Sequence, residues 1–324
     1  MFANKKVLVA GGTGLVGSAV VQELIDRGAQ VRIIVHNRLN PFAGHVEALQ
    51  GDLRNWDTCR SAVKAMDYVV NCAAITGGLL RNKVDPATMY TWNTIINTQL
   101  LEAARQEAVE RYLFTSNISV YAESDKPVKE EEAWNGIPHE SAGGAAWVRR
   151  MGELQASLYA QQYGMKIAIT RGGSAYGPRD MFFDTEFSHV IPALIVRAVQ
   201  KQNPFVVWGT GESVRDFIYV TDLAQGMVLA LEKYANCDPI NIGGGKPVKI
   251  KELVHLVLKL TGHELAVIKF ATDKPVGPVV KTSDLSKSRE QLGFSAQISL
   301  EEGLKRTIDW YLSNKDYMKG YRLS

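Results

Sequence analysis

One short segment, GGTGLVG at residues 11–17, constrains the fold of this chain most strongly. It stands between an apolar run, Lys5–Ala10, and a stretch whose apolar residues have helical spacing, Leu15–Arg27. In a strand–turn–helix unit, the first glycine permits a tight turn, the second lets the backbone approach a pyrophosphate, and the third lets helix and strand pack closely. The unpaired N–H groups and the dipole of the helix N-terminus favour the phosphates. The segment therefore predicts a dinucleotide-binding turn; the alternative is a glycine-rich turn in an α/β protein without a ligand.

The end of the second predicted strand, Val31–Val35, indicates which dinucleotide binds. An acidic residue at this position would bind the ribose 2′-hydroxyl of NAD. The chain has His36-Asn37-Arg38 instead, and an arginine pairs well with a 2′-phosphate. NADP is therefore favoured over NAD, unless Arg38 is a solvated surface residue. The predicted cofactor contacts from the turn and this strand are Gly11, Thr13, Gly14, Leu15, Val16, Gly17 and Arg38.

Strands and helices alternate through the first half of the chain. Further strands are predicted at Val46–Leu53, Tyr68–Ala73, Arg111–Ser116 and Lys166–Arg171, and further helices at Asp57–Met66, Pro86–Val109 and Trp147–Tyr163. Strands separated by helices of this length imply right-handed crossovers, and hence an α/β fold with a Rossmann-like, doubly wound parallel sheet.

The pattern loosens in the second half, where glycines and prolines cluster. Helices are predicted there at Asp222–Tyr234, Ile250–Thr261 and Leu300–Asn314, with Asp222 interpreted as the cap of a helix that starts at Leu223. The predicted organisation is a dinucleotide-binding domain at residues 1–175 and a smaller C-terminal α/β substrate lobe at residues 176–324, interleaved with the first.

Composition excludes several classes of protein. The 324 residues are 46% hydrophobic and 22% charged, as in a folded globular protein rather than a disordered one. A net charge of +3 gives no case for a nucleic-acid or membrane-surface protein, and no apolar run has the length of a membrane span. The cysteines Cys59, Cys72 and Cys237 form no CxxC pair, which favours a reducing, cytoplasmic setting. The histidines show no HxH or HxxxH spacing, so no metal site is expected.

With further segments, the chain resembles the extended short-chain dehydrogenase/reductase family of nucleotide-sugar epimerases, dehydratases and reductases. These segments are GDL at 51–53, NCAA at 71–74, LFTSNISVY at 113–121, MGELQ at 151–155 and SAYGP at 174–178. Within the family, the chain is most similar to the GDP-L-fucose synthase branch. That similarity lies in SHVIPALIVR at 188–197, VVWGTGESVRDFIYVTDLA at 206–224, INIGGG at 240–245 and ISLEEGLKRTIDWYL at 298–312.

The resemblance implies an oxidoreductase or isomerase that uses a nicotinamide dinucleotide and a nucleotide sugar, with a GDP-sugar favoured. It implies that Asp52 and Leu53 lie by the adenine, and that Ala73, Ala74 and Asn93 lie along the cofactor. It also implies a homodimer through the helices Pro86–Val109 and Trp147–Tyr163. The implied substrate contacts are His189, Arg197, Trp208, Arg215 and Lys281. Basic residues neutralise a diphosphate and a tryptophan stacks on a base, although taken singly Trp208 fits a core position and Arg215 or Lys281 a surface charge.

The catalytic positions depart from the family pattern. In this family a tyrosine exchanges the hydroxyl proton, a lysine lowers the pKa of that tyrosine, and a serine or threonine holds the oxygen. Those positions are Ala145, Arg149 and Asn117 here. Ala145 cannot transfer a proton, and Arg149 anchors the ribose but relays protons poorly. The branch's cysteine–histidine epimerase pair corresponds to Ser119 and His189, and Arg171-Gly172-Gly173-Ser174 replaces the usual Arg-Pro-x-Asn.

Three functions follow from this combination. The first is a nucleotide-sugar enzyme with an altered triad, in which His189 is the acid/base, Asn117 and Ser119 hold sugar oxygens, and Arg149 anchors the cofactor. Tyr121 or Tyr176 is the alternative source of a proton in such an enzyme. The second is a protein that binds cofactor and nucleotide sugar without turnover, and the third is an enzyme acting on a non-sugar carbonyl.

Overall fold

The computed structural model describes residues 1–315, and their strands and helices alternate as the sequence predicts. The strands are β1 (Lys6–Ala10), β2 (Gln30–Val35), β3 (Glu47–Gln50), β4 (Tyr68–Asn71), β5 (Arg111–Asn117), β6 (Ile167–Gly172), β7 (Ser174–Tyr176), β8 (Phe205–Trp208), β9 (Val214–Arg215), β10 (Phe217–Tyr219), β11 (Ile240–Ile242), β12 (Val248–Lys249), β13 (Ile268–Ala271) and β14 (Val280–Lys281). The helices are α1 (Leu15–Asp26), α2 (Trp56–Val63), α3 (Leu79–Val84), α4 (Pro86–Gln106), α5 (Gly143–Tyr163), α6 (Val190–Val199), α7 (Val220–Lys233), α8 (Ile250–Leu260), α9 (Ser286–Leu292) and α10 (Leu300–Ser313).

Seven of the strands form one sheet in the order β11-β6-β5-β4-β1-β2-β3. All the neighbouring pairs are parallel, and Val7 at the centre is in register with Val31 and Tyr68. The strand order reverses between β1 and β4, which is the switch point where ligands bind in open α/β sheets. The predicted Rossmann-like, doubly wound α/β fold is confirmed.

The central strands β1 and β4 are buried on both faces because they are almost entirely apolar, whereas the edge strand β3 is largely exposed. Val7 and Val9 of β1 point into the same core cluster as α1 and α7. Leu8 and Ala10, on the opposite face, pack with α2, α4 and α5. This alternation follows from the two-residue period of a strand.

A second core lies in the C-terminal part of the chain. Leu194 and Ile195 of α6, Leu253 of α8 and Ile308 of α10 are buried against one another. Three small sheets lie around this core: β10-β7, β12-β9-β14 and β13-β8. The main sheet also draws its edge strand β11 from this part of the chain, so the main sheet and the C-terminal part share residues 240–242. Within residues 1–315, every helix is too short or too polar to cross a bilayer.

Some predicted boundaries were wrong. The strand predicted at Val46–Leu53 is restricted to Glu47–Gln50, and α5 begins at Gly143 rather than Trp147. Helix α6 was not predicted. Asp222 does not cap its helix, which begins at Val220; its buried carboxylate instead accepts hydrogen bonds from the backbone N–H groups of Gln297 and Ile298.

Candidate functional site

A single cleft of 670 Å³ runs from the switch point of the sheet to the C-terminal core. Every residue predicted for cofactor, substrate or catalysis lines it, except the alternative proton donor Tyr176. The cofactor positions are Gly11, Thr13, Gly14, Leu15, Val16, Gly17, Arg38, Asp52, Leu53, Ala73, Ala74, Asn93 and Arg149. The catalytic and substrate positions are Asn117, Ser119, Ala145, His189, Arg197, Trp208, Arg215 and Lys281.

The glycine turn forms the floor of one end of the cleft. Gly11 has a φ of +77°, and a Cβ atom there would lie 2.7 Å from the backbone of Cys72. A Cβ at Gly17 would collide with the carbonyl oxygen of Gly11, so helix and strand need glycine to pack. Gly14 is the N-cap of α1 and has no side-chain cap. The N–H groups of the first turn are therefore available to an anion.

Two arginines lie beside this turn. An Nη atom of Arg38 donates to the carbonyl oxygen of Arg179 at 3.4 Å and would lie 3.9 Å from a Cβ at Gly14. Arg38 is therefore part of the cleft wall rather than a solvated surface residue. The Nε atom of Arg179 is buried and has no hydrogen-bond partner among residues 1–315. An unpartnered buried guanidinium nitrogen favours an anionic ligand at this end, and a ribose 2′-phosphate fits that requirement.

The neighbouring residues shape the wall along the sheet. Asp52 accepts hydrogen bonds from the Arg54 guanidinium, the closest at 2.6 Å, and this pairing lowers the pKa of Asp52. Both polar atoms of the Asn93 side chain bond the backbone of Ile75, at 2.7 and 2.9 Å. Asn93 therefore fixes the loop after β4 instead of offering its amide to a ligand. The N–H of Ala73 is held in turn by Asn71.

The middle of the cleft contains the altered triad positions. The side-chain oxygen of Asn117 accepts from both the N–H and the hydroxyl of Ser119, so its amide NH₂ is the group left to donate to a sugar oxygen. Arg149 donates to the carbonyl oxygen of Thr115, and burial lowers the pKa of its guanidinium. Ala145 contributes to the wall a methyl group, which cannot donate a proton.

The hydroxyls of both alternative tyrosines are hydrogen-bonded to other parts of the protein, although Tyr121 lines the cleft. The hydroxyl of Tyr121 donates to Asn241 at 2.7 Å and accepts from Arg171 at 2.9 Å, and burial raises its pKa. Tyr176 is buried under α10, donates to the carbonyl oxygen of Leu300, and does not line the cleft. Both hydroxyls serve the fold.

His189 stands at the start of α6 with its ring 46% exposed to the cleft. Its Nδ1 atom lies 3.5 Å from the buried carboxylate of Asp180. Burial lowers the pKa of His189, but the hydrogen bond and charge of Asp180 together raise it by more, so the net pKa is raised. The second carboxylate oxygen of Asp180 has no hydrogen-bond partner among residues 1–315. The arrangement is that of a histidine acid/base held by a carboxylate.

The far end of the cleft carries three basic side chains. Arg215 and Lys281 are register partners on β9 and β14, and Arg197 extends from α6. None of the three forms an ion pair with a carboxylate in residues 1–315. Burial, and secondarily Arg215, lowers the pKa of Lys281 to about 8, and burial lowers that of Arg215 to about 10. Unneutralised, partly buried cations favour a polyanion such as a diphosphate.

Sequence reasoning missed several residues of this site. Arg179 and Asp180 directly follow the SAYGP segment, which was the available signal for them. Glu123, His139 and Ser141 also line the cleft. They come from a loop and a 3-10 turn without regular periodicity, and the sequence pattern gave no signal for them.

The chain matches known proteins along nearly its whole length. A model of the NAD dependent epimerase/dehydratase family matches residues 7–243. A GDP-L-fucose synthase of Arabidopsis thaliana is 32% identical over 96% of this chain and 94% of its own length. The GDP-L-fucose synthase of Escherichia coli is 31% identical over 98% of this chain and 100% of its own.

Solved structures of nucleotide-sugar epimerases are also similar to this chain along nearly its whole length. The UDP-glucose 4-epimerase of Thermotoga maritima, solved with UDP-glucose, has a TM-score of 0.85 and 27% identity, covering 96% of this chain and 99% of its own. A UDP-N-acetylglucosamine 4-epimerase of Methanobrevibacter ruminantium has a TM-score of 0.86, 27% identity and the same two coverages, 96% and 99%.

Proposed function

The chain belongs to the NAD-dependent epimerase/dehydratase family, and we propose that it binds NADP and a GDP-hexose and carries out proton chemistry on the sugar. One observation supports this proposal most strongly: a single cleft joins a glycine turn with two arginines, a carboxylate-held histidine, and a group of unneutralised cations. Each part suits one component of such a complex, namely the dinucleotide, the sugar and the diphosphate.

The residues at the turn fit NADP. The N–H groups at the start of α1 would hold the pyrophosphate, and Arg38 with Arg179 would hold the 2′-phosphate. When bound, the nicotinamide of such a cofactor supplies or accepts a hydride. Arg149 would keep a positive charge near the nicotinamide ribose, at the position where the family has lysine.

The chain's own residues are suited to moving a carbon-bound proton. A carbon next to a carbonyl is acidic enough for a histidine to exchange its proton, because the electrons are delocalised onto the oxygen. Neutral His189 would take that proton, and the Asp180 carboxylate would stabilise the imidazolium formed. The amide NH₂ of Asn117 would donate to a sugar oxygen. Hydride transfer would be slow, because Ala145 supplies no proton.

The alternative is a catalytically impaired protein of the same fold that binds cofactor and nucleotide sugar. The replacement of the proton-donating position by Ala145, together with the departures at Asn117, Ser119 and Arg149, favours it. It predicts tight binding at both ends of the cleft and no exchange at any carbon of the sugar.

The deciding experiment is mass spectrometry of GDP-4-keto-6-deoxymannose incubated with the protein and NADPH in D₂O. We expect deuterium to enter the sugar without loss of NADPH absorbance. His189→Gln should abolish this exchange, while His255→Gln, an exposed position on α8 outside the cleft, should not change it. If calorimetry shows that GDP binds but no deuterium is taken up, the result would support the alternative, a protein that binds cofactor and nucleotide sugar without turnover.

We also propose the assembly and setting that the family resemblance implies. Leu154 and Leu158 of α5 and Tyr90 of α4 are exposed apolar side chains on the helices expected to pair in a homodimer. The three cysteines are free thiols, as in a reducing cytoplasm. Residues 1–175 would bind the dinucleotide, and residues from 176 onward the nucleotide sugar.

A further inference from the structure

A serine, a histidine and a glutamate are aligned on the wall of the cleft, outside the groups assigned above. The hydroxyl oxygen of Ser141 lies 2.8 Å from Nδ1 of His139. On the other side of the ring, Nε2 of His139 lies 3.9 Å from a carboxylate oxygen of Glu123. All three residues line the cleft. A hydroxyl hydrogen-bonded to an imidazole, with a carboxylate facing the far ring nitrogen from beyond hydrogen-bond distance, is similar to the arrangement that activates a hydroxyl for proton transfer.

The hydrogen bonds fix the tautomer of His139. Its Nδ1 atom accepts from the backbone N–H of Ser141 at 3.2 Å, and a backbone N–H can only donate. In the neutral ring Nδ1 therefore carries the lone pair, and the proton is on Nε2, on the side of Glu123. The Ser141 hydroxyl must donate to the same Nδ1. This is the tautomer in which the imidazole takes a proton from the serine while the carboxylate faces the charge that develops.

Ser141 lies within reach of the anion-binding end of the cleft. Gly277 lies close to both Ser141 and Arg215. A Cβ atom added to this glycine would be 3.6 Å from the Ser141 hydroxyl oxygen and 3.0 Å from an Nη atom of Arg215. Helix α3 connects this region to the other side of the site: Asn82 donates to the carbonyl oxygen of Ser141, and Gly78 donates to that of Phe187, two residues before His189. Gly78 and Asn82 are about 6 Å apart along such a helix. The segments that carry Ser141 and His189 are therefore both held by the residues of this short helix and its N-cap.

We propose that Ser141 exchanges a proton with an oxygen of the bound sugar, and that His139 and Glu123 position and polarise its hydroxyl. The proposal rests on the proposed function, because it names a second proton-transfer group of that site. Ser141 lies four residues before Ala145, in the turn Glu140–Ala142 that precedes α5, and would supply the hydroxyl that Ala145 lacks. Ser141 would be a catalytic residue, and His139 and Glu123 positioning residues.

The proposed proton transfer converts the sugar ketone to its enol. As His189 removes the proton from the carbon next to the carbonyl, the C–H electron pair forms a C=C bond. The π electrons of the carbonyl move to its oxygen, which takes the Ser141 proton to give the enol. This step needs the imidazolium form of His139, in which Nδ1 has taken a proton from water and donates to the Ser141 hydroxyl oxygen instead of accepting from it, so that the hydroxyl proton is free for the sugar oxygen. As the sugar oxygen takes that proton, Nδ1 gives its own proton to Ser141, and His139 is left neutral with its proton on Nε2. The reverse steps restore the carbonyl, and His189 returns a proton, or a deuteron in D₂O, to the face of the carbon from which it was taken.

The hydrogen bonds between His139 and Ser141 would also suit a His139 that only caps the turn Glu140–Ala142. The test must therefore separate a role in proton transfer from a role in capping. His139→Asn does this, because the Asn side-chain oxygen takes the place of Nδ1 as acceptor for the Ser141 N–H but cannot carry a proton. Ser141→Thr keeps a hydroxyl and Ser141→Ala removes it. GDP affinity within twofold of the parent serves as the folding control for each variant.

The first readout is the rate of deuterium uptake by GDP-4-keto-6-deoxymannose in D₂O. General acid–base groups contribute about 10²–10⁴-fold to rate, so Ser141→Ala and His139→Asn are each expected to slow exchange by about 10²-fold or more. Ser141→Thr is expected to retain most of the rate. An unchanged rate in His139→Asn would overturn the proposal in favour of a structural cap.

The second readout needs no sugar and so separates this proposal from the proposed function. A serine hydroxyl activated by an imidazole reacts with diisopropyl fluorophosphate, releasing fluoride, and the adduct on Ser141 is found by peptide mass spectrometry. We expect labelling in the parent protein and a loss of about 10²-fold in His139→Asn. Labelling without sugar exchange would contradict the proposed function while supporting the activated Ser141. Absence of labelling in the parent would overturn the inference even if sugar exchange occurs.

Discussion

Lys281 and Arg215 stand opposite each other in the register of β14 and β9, so two cations lie side by side at one end of the cleft. Burial and the neighbouring guanidinium hold the pKa of Lys281 at about 8. A bound diphosphate favours the charged amine, and the pKa of Lys281 must rise on binding. Protonation and anion binding are therefore coupled at this pair.

GDP affinity is predicted to fall as the pH rises through about 8, because the neutral amine no longer attracts the diphosphate. Calorimetry in buffers of different ionisation enthalpy should show proton uptake on binding above that pH. Lys281→Arg should remove the pH dependence, whereas Lys281→Met should weaken binding strongly below pH 8 and progressively less above it. A dependence that persists in Lys281→Arg would assign it to another group.

Arg38→Ser is predicted to weaken NADPH binding far more than NADH binding. A charge-assisted hydrogen bond contributes about 1.5–3 kcal/mol, which corresponds to about 10–150-fold in affinity. The dissociation constants are measured by the fluorescence of the reduced cofactors. Arg60→Ser, at an exposed position on α2 outside the cleft, is the matched control. Equal losses for both cofactors would argue that Arg38 does not contact the 2′-phosphate.

Hydride transfer is predicted to appear when the missing proton donor is restored. Ala145→Tyr combined with Arg149→Lys supplies a phenol and an amine one helical turn apart in α5. NADPH oxidation with GDP-4-keto-6-deoxymannose should rise by about 10²-fold or more over the parent. Ala145→Phe with the same Arg149→Lys change controls for the volume of the ring. Equal rates in the two double variants would show that the phenol does not reach the substrate.

Asp180→Asn is predicted to lower the pKa of His189, because the carboxylate stabilises the imidazolium. Proton abstraction needs the neutral ring, so deuterium uptake rises with pH through this pKa. The rise should move to lower pH in the variant, while the limiting rate changes less. NMR titration of the His189 ring gives the same pKa independently. A shift toward higher pH would contradict the role given to Asp180.

Glu153→Ala is predicted to destabilise the fold strongly. Glu153 binds Arg171 at 2.6 Å, and the two side chains are only 5% and 3% exposed. Removing one partner leaves the other charge buried and unpaired, which costs about 3–5 kcal/mol. Chemical denaturation measures the change in the free energy of unfolding. Glu301→Ala, in an exposed pair with Lys305, should change it by less than about 0.5 kcal/mol.

The glycine turn and the sheet were predictable because their signals are local. Gly11 needs a positive φ, and the strands of the sheet are short apolar runs between helices. The start of α5 was not predictable in the same way, because its first two residues, Gly143 and Gly144, are of a type that disfavours helix. A Cβ at Gly144 would lie 2.6 Å from the carbonyl oxygen of Pro86, so glycine is needed there for α4 and α5 to approach closely.

The sequence by itself determined the fold, the dinucleotide turn, the family and the absence of a tyrosine at position 145, because each depends on residue type at a short or fixed spacing. Only the tertiary structure decided which side chains meet. Asp180 reaches His189, Lys281 stands beside Arg215, and Glu123 faces His139 because separate loops and strands converge on one cleft. Such contacts join parts of the chain that no local pattern connects, and they set the charges and proton positions on which the proposed chemistry depends.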